Sequence, residues 1–141
     1  MSDAFERVQA SFAEQGFMHR LGAELIAVSA GEVTIALPFR ADLTQQHGFL
    51  HAAVTTAIVD SDCGYAALTT MPAGMEVLSV EYKVNLLAPA AGQRFVATGR
   101  VVRPGRTLTV CTGDVYAERD GERKLICVMQ ATMIAAKPDG A

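Results

Sequence analysis

The chain has 141 residues, 50% of them hydrophobic, and a formal net charge of -3 with acidic and basic residues interspersed. That length suits a single domain over residues 1–141 with its own core, and the charge pattern excludes the basic stripe that nucleic-acid binding requires. No apolar run reaches the ~18 residues of a spanning helix and the N-terminus MSDAFERVQASF lacks a leader pattern, so a cytoplasmic protein without a membrane partner is expected.

In chain order, residues 2–14 carry Phe5, Val8, Phe12 and Ala13 at helical spacing, with Ser2 or Asp3 as N-cap, and predict a short amphipathic helix ending near Gly16. Residues 23–29 and 32–39 flank Ala30-Gly31 as a strand hairpin, with Val33, Ile35 and Leu37 alternating with Glu32, Thr34 and Ala36. Residues 40–48 are polar, have no period and read as a loop. It leads into a helix at about 50–68.

On that helix Val54, Ala57, Ile58, Ser61, Tyr65 and Leu68 share a side that should face a core. Asp60 falls elsewhere, in a stripe of small residues with Ala53, Thr56, Gly64 and Ala67, where another backbone or a thin ligand has room to approach. Asp62 lies on the opposite face, near Thr55 and Ile58, which excludes a paired-carboxylate mechanism.

After the turn Met71-Pro72-Ala73-Gly74 come strands at 76–87, 94–102, 107–118 and 123–134, then a frayed tail at 137–141. Tight turns between successive strands imply an antiparallel sheet, and the long helix is the element available to cover its apolar face. The class is α+β. Cys63, Cys111 and Cys127 are odd in number and lack CxxC spacing, as expected of buried thiols rather than a disulfide framework or a zinc site.

The segment Gly48-Phe49-Leu50-His51-Ala52-Ala53 is followed by Asp60, eight positions after Ala52. Further on stand Ser79-Val80-Glu81-Tyr82-Lys83-Val84-Asn85 and Leu87-Ala88-Pro89-Ala90. Over residues 22–134 this pattern resembles the hotdog-fold acyl-CoA thioesterases, and within them the PaaI-like branch, with alanines where the family usually has glycines. The resemblance implies a curved antiparallel sheet wrapped around one central helix, and hydrolysis of an aryl- or medium-chain acyl-CoA. It also implies that the Ala52 backbone N–H polarises the thioester carbonyl and that Asp60 is general base or nucleophile. The family's preceding amide falls on Gln45, with Gln46 a near competitor. Ser79 matches a position whose hydroxyl helps hold the attacking water or the carboxylate. Arg103 and Arg106, around Pro104-Gly105, fall near the nucleotide end of the ligand and become candidates for its phosphates. No metal or cofactor is implied, coenzyme A being part of the substrate.

The chemistry imposes a condition of its own. Thioester hydrolysis needs a carboxylate to activate water or attack the carbonyl, and donors where the oxyanion develops. The helix start at Ala52 and Ala53 offers such donors. At ~1.5 Å rise per residue, Ala52 and Asp60 stand about 12 Å apart on one helix. One carbonyl cannot touch both, so the donor must come from a second subunit, and a homodimer with two shared sites is expected, with a dimer of dimers, a homotetramer, implied by the resemblance.

His51 reads as base or as loop-orienting residue, the second being favoured. His47 and Gly48 belong to a loop at the same mouth, and Phe49, Leu50, Met71 and Met75 are candidates for an acyl pocket. Three other functions stay open: a hotdog hydratase or dehydratase, a non-catalytic acyl-CoA sensor, and a structural dimer without ligand.

Overall fold

Alternation in the strands and an almost continuous apolar run in the long helix lead to a sheet curled around that helix. The structure, a computed structural model, describes residues 3–138. The elements are α1 (Asp3–Glu14), α2 (Gly16–Leu21), β1 (Glu24–Ser29), β2 (Glu32–Pro38), a single 3-10 turn (Ala41–Leu43), α3 (Ala52–Leu68), β3 (Glu76–Leu86), β4 (Arg94–Arg103), β5 (Leu108–Arg119) and β6 (Glu122–Ala136). Each expected strand is present within two residues of its expected limits. Ser2, one of the two expected caps of α1, and residues 139–141 of the expected tail lie outside the described residues.

The six strands form one antiparallel sheet in the order β1-β2-β4-β5-β6-β3. The chain leaves β2, crosses the concave face as α3, and returns at the far edge as β3, which pairs with β6. Val33, Ile35 and Leu37 turn inward as their alternation requires, each removing roughly 1.5–3 kcal/mol of apolar surface from water. Ala36 is buried as well, paired across the sheet with Glu24 and Val96.

The lead-in helix ends at Glu14, close to Gly16 as expected, but the chain does not pass directly into the strand: it turns at Gln15 into an unexpected helix, α2, which buries Met18 and Leu21 and ends at Gly22, a left-handed C-cap with φ 76°. Six residues are too few for a periodic signal to separate from the strand that follows. Nor does α3 bury a single side. Val59, Asp62, Cys63 and Ala66 are buried, while Ala57 and Ser61, expected in the core, are only half-buried. The helix packs against five strands, so the environment surrounds it and leaves no stripe to read.

The closest approach is at Gly99 on β4 and Gly113 on β5. A Cβ on Gly99 would lie 2.5 Å from the Asp62 carbonyl carbon and the Cys63 nitrogen, and one on Gly113 would lie 2.5 Å from Val59 Cγ2. These glycines let the α3 backbone rest on the sheet. They set the height at which Asp60, on the other side of the helix, meets β3.

Candidate active site

Asp60 is half-buried on the β3 side of α3, and Ser79 Oγ donates to its Oδ1 at 2.8 Å. The sheet register breaks between Ser79 and Glu81, with Val80 as the extra residue of a bulge. Bulges bend a strand and re-aim its side chains, and here the break lies immediately beyond the serine that meets the carboxylate. Burial lifts the Asp60 pKa above its usual range, and the Ser79 hydrogen bond, which favours the charged form, partly offsets the lift.

Asp60 opens on a cleft of 460 Å³ lined by residues of α1, α3, β3 and β6, among them Ser11, Tyr65, Glu76 and Met133, and by Gln15 between α1 and α2. Gln15 was not foreseen. It precedes α2 without capping it, and its side chain instead donates from Nε2 to the Tyr65 hydroxyl at 2.7 Å and accepts from Ser61 Oγ at 3.2 Å. No sequence signal marks it, since a lone glutamine between two helices has no period to break.

A second cleft, of 550 Å³, lies at the other end of α3 and is lined by Gln45, Phe49, Leu50, His51, Ala52, Thr55, Leu86, Pro89 and Ile126, among others. It is mostly apolar. His51 is the N-cap of α3, its Nδ1 accepting the Ala53 N–H at 2.9 Å, so in this arrangement the ring proton sits on Nε2. The Ala53 N–H is thereby consumed. The Ala52 N–H has no hydrogen-bond partner among the described residues, and it faces the problem every first-turn amide faces.

Gln45 reaches this cleft; its Oε1 accepts the His47 N–H. Gln46, His47 and Gly48 are exposed on the turn before Phe49 and line neither cleft. Arg103, the last residue of β4, and Arg106 are exposed around the β4–β5 turn, their side chains without an ion pair or hydrogen bond among the described residues, and lie outside both clefts. Of the proposed acyl-pocket residues, Phe49 and Leu50 line the second cleft, Met71 is core, and Met75 sits beside α1 and Glu76. Cys63, Cys111 and Cys127 are free and buried, and burial raises the Cys111 and Cys127 thiols to about 11.

The two clefts share no residue. The carboxylate lines one cleft with its serine, and Ala52 lines the other with Gln45. Residues 47–124, which span the free amide, α3, Asp60 and Ser79, match the family described as the thioesterase superfamily. The chain belongs to the thioesterase superfamily. Its activity is thioester hydrolysis.

A thioesterase family protein from Silicibacter pomeroyi has the same fold with a TM-score of 0.93 and 48% identity, covering 95% of this chain and 98% of that one. The E. coli PaaI protein of the phenylacetic acid degradation operon superimposes with a TM-score of 0.85 at 17% identity, covering 98% and 95%, and shares the hotdog fold. Among curated relatives, human acyl-coenzyme A thioesterase 13 is 27% identical over 119 residues, which cover 83% of this chain and 84% of the relative. A Saccharolobus solfataricus protein provisionally named an esterase is 30% identical over 124 residues, 86% of each chain.

Proposed function

We propose that this thioesterase hydrolyses acyl-CoA, releasing the free acid and coenzyme A, at a site built from the Asp60 cleft of one protomer and the Ala52 cleft of another. The observation that carries this reading is the Ala52 N–H, left without a partner at the start of α3 while the Ala53 N–H is taken by His51. A donor placed so is suited to an oxyanion that arrives from outside the chain.

Asp60, in its ionised form, takes a proton from water while the oxygen attacks the thioester carbonyl. The oxyanion accepts the partner's Ala52 N–H, and collapse expels the thiolate, which recovers the proton from Asp60. As a nucleophile, Asp60 would instead form a mixed anhydride that water then opens. Ser79 holds the carboxylate in either case, and Gln45 stands beside the amide as a second donor. Support for a dimer comes from β3, an edge strand that exposes Leu78, Val80, Tyr82 and Leu86. Long apolar edges invite pairing with another copy. Three buried free thiols suit the reducing cytoplasm. A tetramer, and phosphate contacts from Arg103 and Arg106, extend the same reading.

The test is release of free thiol from aryl- and medium-chain acyl-CoA esters by two variants, separately and mixed. Asp60→Asn lowers turnover at least ~100-fold, the usual contribution of an acid–base group. Ala52→Pro removes the N–H at a first helical position, where proline is tolerated, after a residue at φ -61° and ψ 137° that suits a following proline. Refolded together, the two inactive chains regain about a quarter of wild-type activity, because half the dimers are mixed and each mixed dimer holds one intact site. No recovery on mixing sinks the shared site, and full activity in Asp60→Asn moves the chemistry elsewhere.

A further inference from the structure

Ser79 carries one hydroxyl hydrogen and has two acceptors within reach of it. Asp60 Oδ1 lies 2.8 Å from its Oγ, and Met133 Sδ lies 3.3 Å from the same atom. Met133 faces Ser79 directly across the β3–β6 ladder, in the last pair before the bulge at Val80. It is buried at the wall of the Asp60 cleft, so packing holds the sulfur in place. Leucine would fill such a position by volume. What sulfur adds is a weak acceptor.

The charge of Asp60 decides which acceptor holds the hydrogen. A hydrogen bond to an ionised carboxylate is about twice as strong as one between neutral groups, so ionised Asp60 takes the hydrogen and the sulfur is idle. Oδ2 has no hydrogen bond among the described residues and is the oxygen left to receive a proton from water. Once it does, Oδ1 becomes the carbonyl oxygen of a neutral acid and its pull on Ser79 drops. Rotation of the hydroxyl then brings the same hydrogen to Met133 Sδ.

We infer that Met133 is a positioning residue for the Ser79–Asp60 pair, its sulfur being the second seat of the Ser79 hydrogen while Asp60 carries a proton. The inference rests on the proposed role of Asp60 as proton acceptor and deepens it, because the sulfur eases uptake of the proton that the attacking water gives up. Without the sulfur the Ser79 hydrogen has only the carboxylate to serve, the ionised form gains, and Asp60 gives up its proton at lower pH. Ser79→Ala acts in the opposite direction, since it removes the hydrogen itself.

Glu14 from α1, Glu76 from β3 and Tyr65 from α3 share the cleft with Asp60, and β6 brings Met133 and no titratable group. Asp62 and Cys63 are buried on other faces of α3. None of these groups changes among the proteins compared below, so a difference between them belongs to the sulfur and the hydroxyl.

The experiment is a double-mutant cycle over wild type, Met133→Leu, Ser79→Ala and the double variant, leucine being close enough to methionine in volume to keep the fold. Met133→Ile is carried through the same cycle as a second side chain without sulfur, so that poor folding of one variant does not decide the outcome. The titration of Asp60 is read in two ways: as the acid limb of kcat/KM for a hydrolysed acyl-CoA ester and, without substrate, as the NMR shift of its carboxyl carbon, assigned by its loss in Asp60→Asn. Met133→Leu moves both to lower pH by about half a pH unit, a roughly threefold gain in relative activity at a fixed pH on that limb. Combined with Ser79→Ala, the same substitution moves nothing further. An unmoved titration, a move to higher pH, or an equal move with and without the Ser79 hydroxyl overturns the inference, the last because packing alone would produce it. Absence of turnover on every ester defeats the acyl-CoA reading, and the carboxyl-carbon titration then decides the inference by itself.

Discussion

Asp60 and Asp62 stand two residues apart on one helix, yet the two faces of α3 treat them in opposite ways. On the β3 side Asp60 is half-buried, opens on a cleft and receives a hydroxyl from Ser79. On the β2 and β4 side Asp62 is 0% exposed and neither carboxylate oxygen has a hydrogen bond of good geometry among the described residues. Burial pushes Asp62 well above the usual carboxylate range. The nearby Ile35 backbone N–H opposes that shift, and the negative charge of Asp114 adds to it. Burial alone thus raises a carboxyl group, and a reachable cavity with a donor is what makes the raised group serviceable.

The largest way to break this contrast is to fill the space that keeps the Asp62 face closed. Gly99→Ala places a methyl carbon 2.5 Å from the Asp62 and Cys63 backbone, which cannot swing aside as a side chain would. A loss of about 3 kcal/mol of stability is expected, read as the denaturation midpoint. Gly64→Ala is the matched change on the other face, where the added carbon meets only Val77 Cγ1 at 3.9 Å and Met133 Sδ at 4.0 Å. There the helical preference for alanine stabilises the protein by up to ~1 kcal/mol. Equal effects at the two positions would mean that the helix does not rest on the sheet at Gly99.

Asp62→Asn comes next. A carboxyl whose folded pKa is raised lends the fold stability that is complete below its unfolded value and is lost as pH rises toward the folded value. The wild type should therefore lose stability relative to the asparagine variant by roughly 1.4 kcal/mol per pH unit in that window, with no further change above it. Denaturation of both proteins across about pH 4 to 8 checks the sign, and a difference independent of pH would refute the burial of Asp62. Turnover should be the same in both, since Asp62 touches neither cleft.

The smallest effect belongs to Ser79→Ala. In the proposed reaction Asp60 works ionised, so activity should rise with pH through its lifted pKa, and removing the Ser79 bond takes away the influence that lowers it. The acid limb of the kcat/KM profile then moves to higher pH, with a loss of roughly tenfold at fixed acidic pH, the worth of one hydrogen bond to a charged group. A limb that stays in place separates Ser79 from the titration of Asp60.

Much of this contrast was already visible in the residues. Alternation in Val33, Ile35 and Leu37, the glycine turns, and the spacing from Ala52 to Asp60 located the strands, the helix and the separation of Asp60 from the helix start, because each is a local pattern of period two or 3.6. Asp62 was set apart from Asp60 by the same angular argument. The burial of Val59, Cys63 and Ala66 was not visible, because a helix enclosed by five strands carries no amphipathic stripe.

By itself, then, the sequence determined which segments are strands, where the carboxylate stands on α3, and that the start of α3 lies eight residues from it, too far for one carbonyl to reach both in the same chain. Only the tertiary structure decided that β3 crosses to the far edge, that its bulge sets Ser79 beside Asp60, and that Gln15 closes the cleft with Tyr65. The reason is physical: a local pattern fixes the direction of a side chain from its own backbone, whereas a cavity is the space left where residues distant in the chain, here 15, 60 and 79, are brought together by the sheet's closure around the helix.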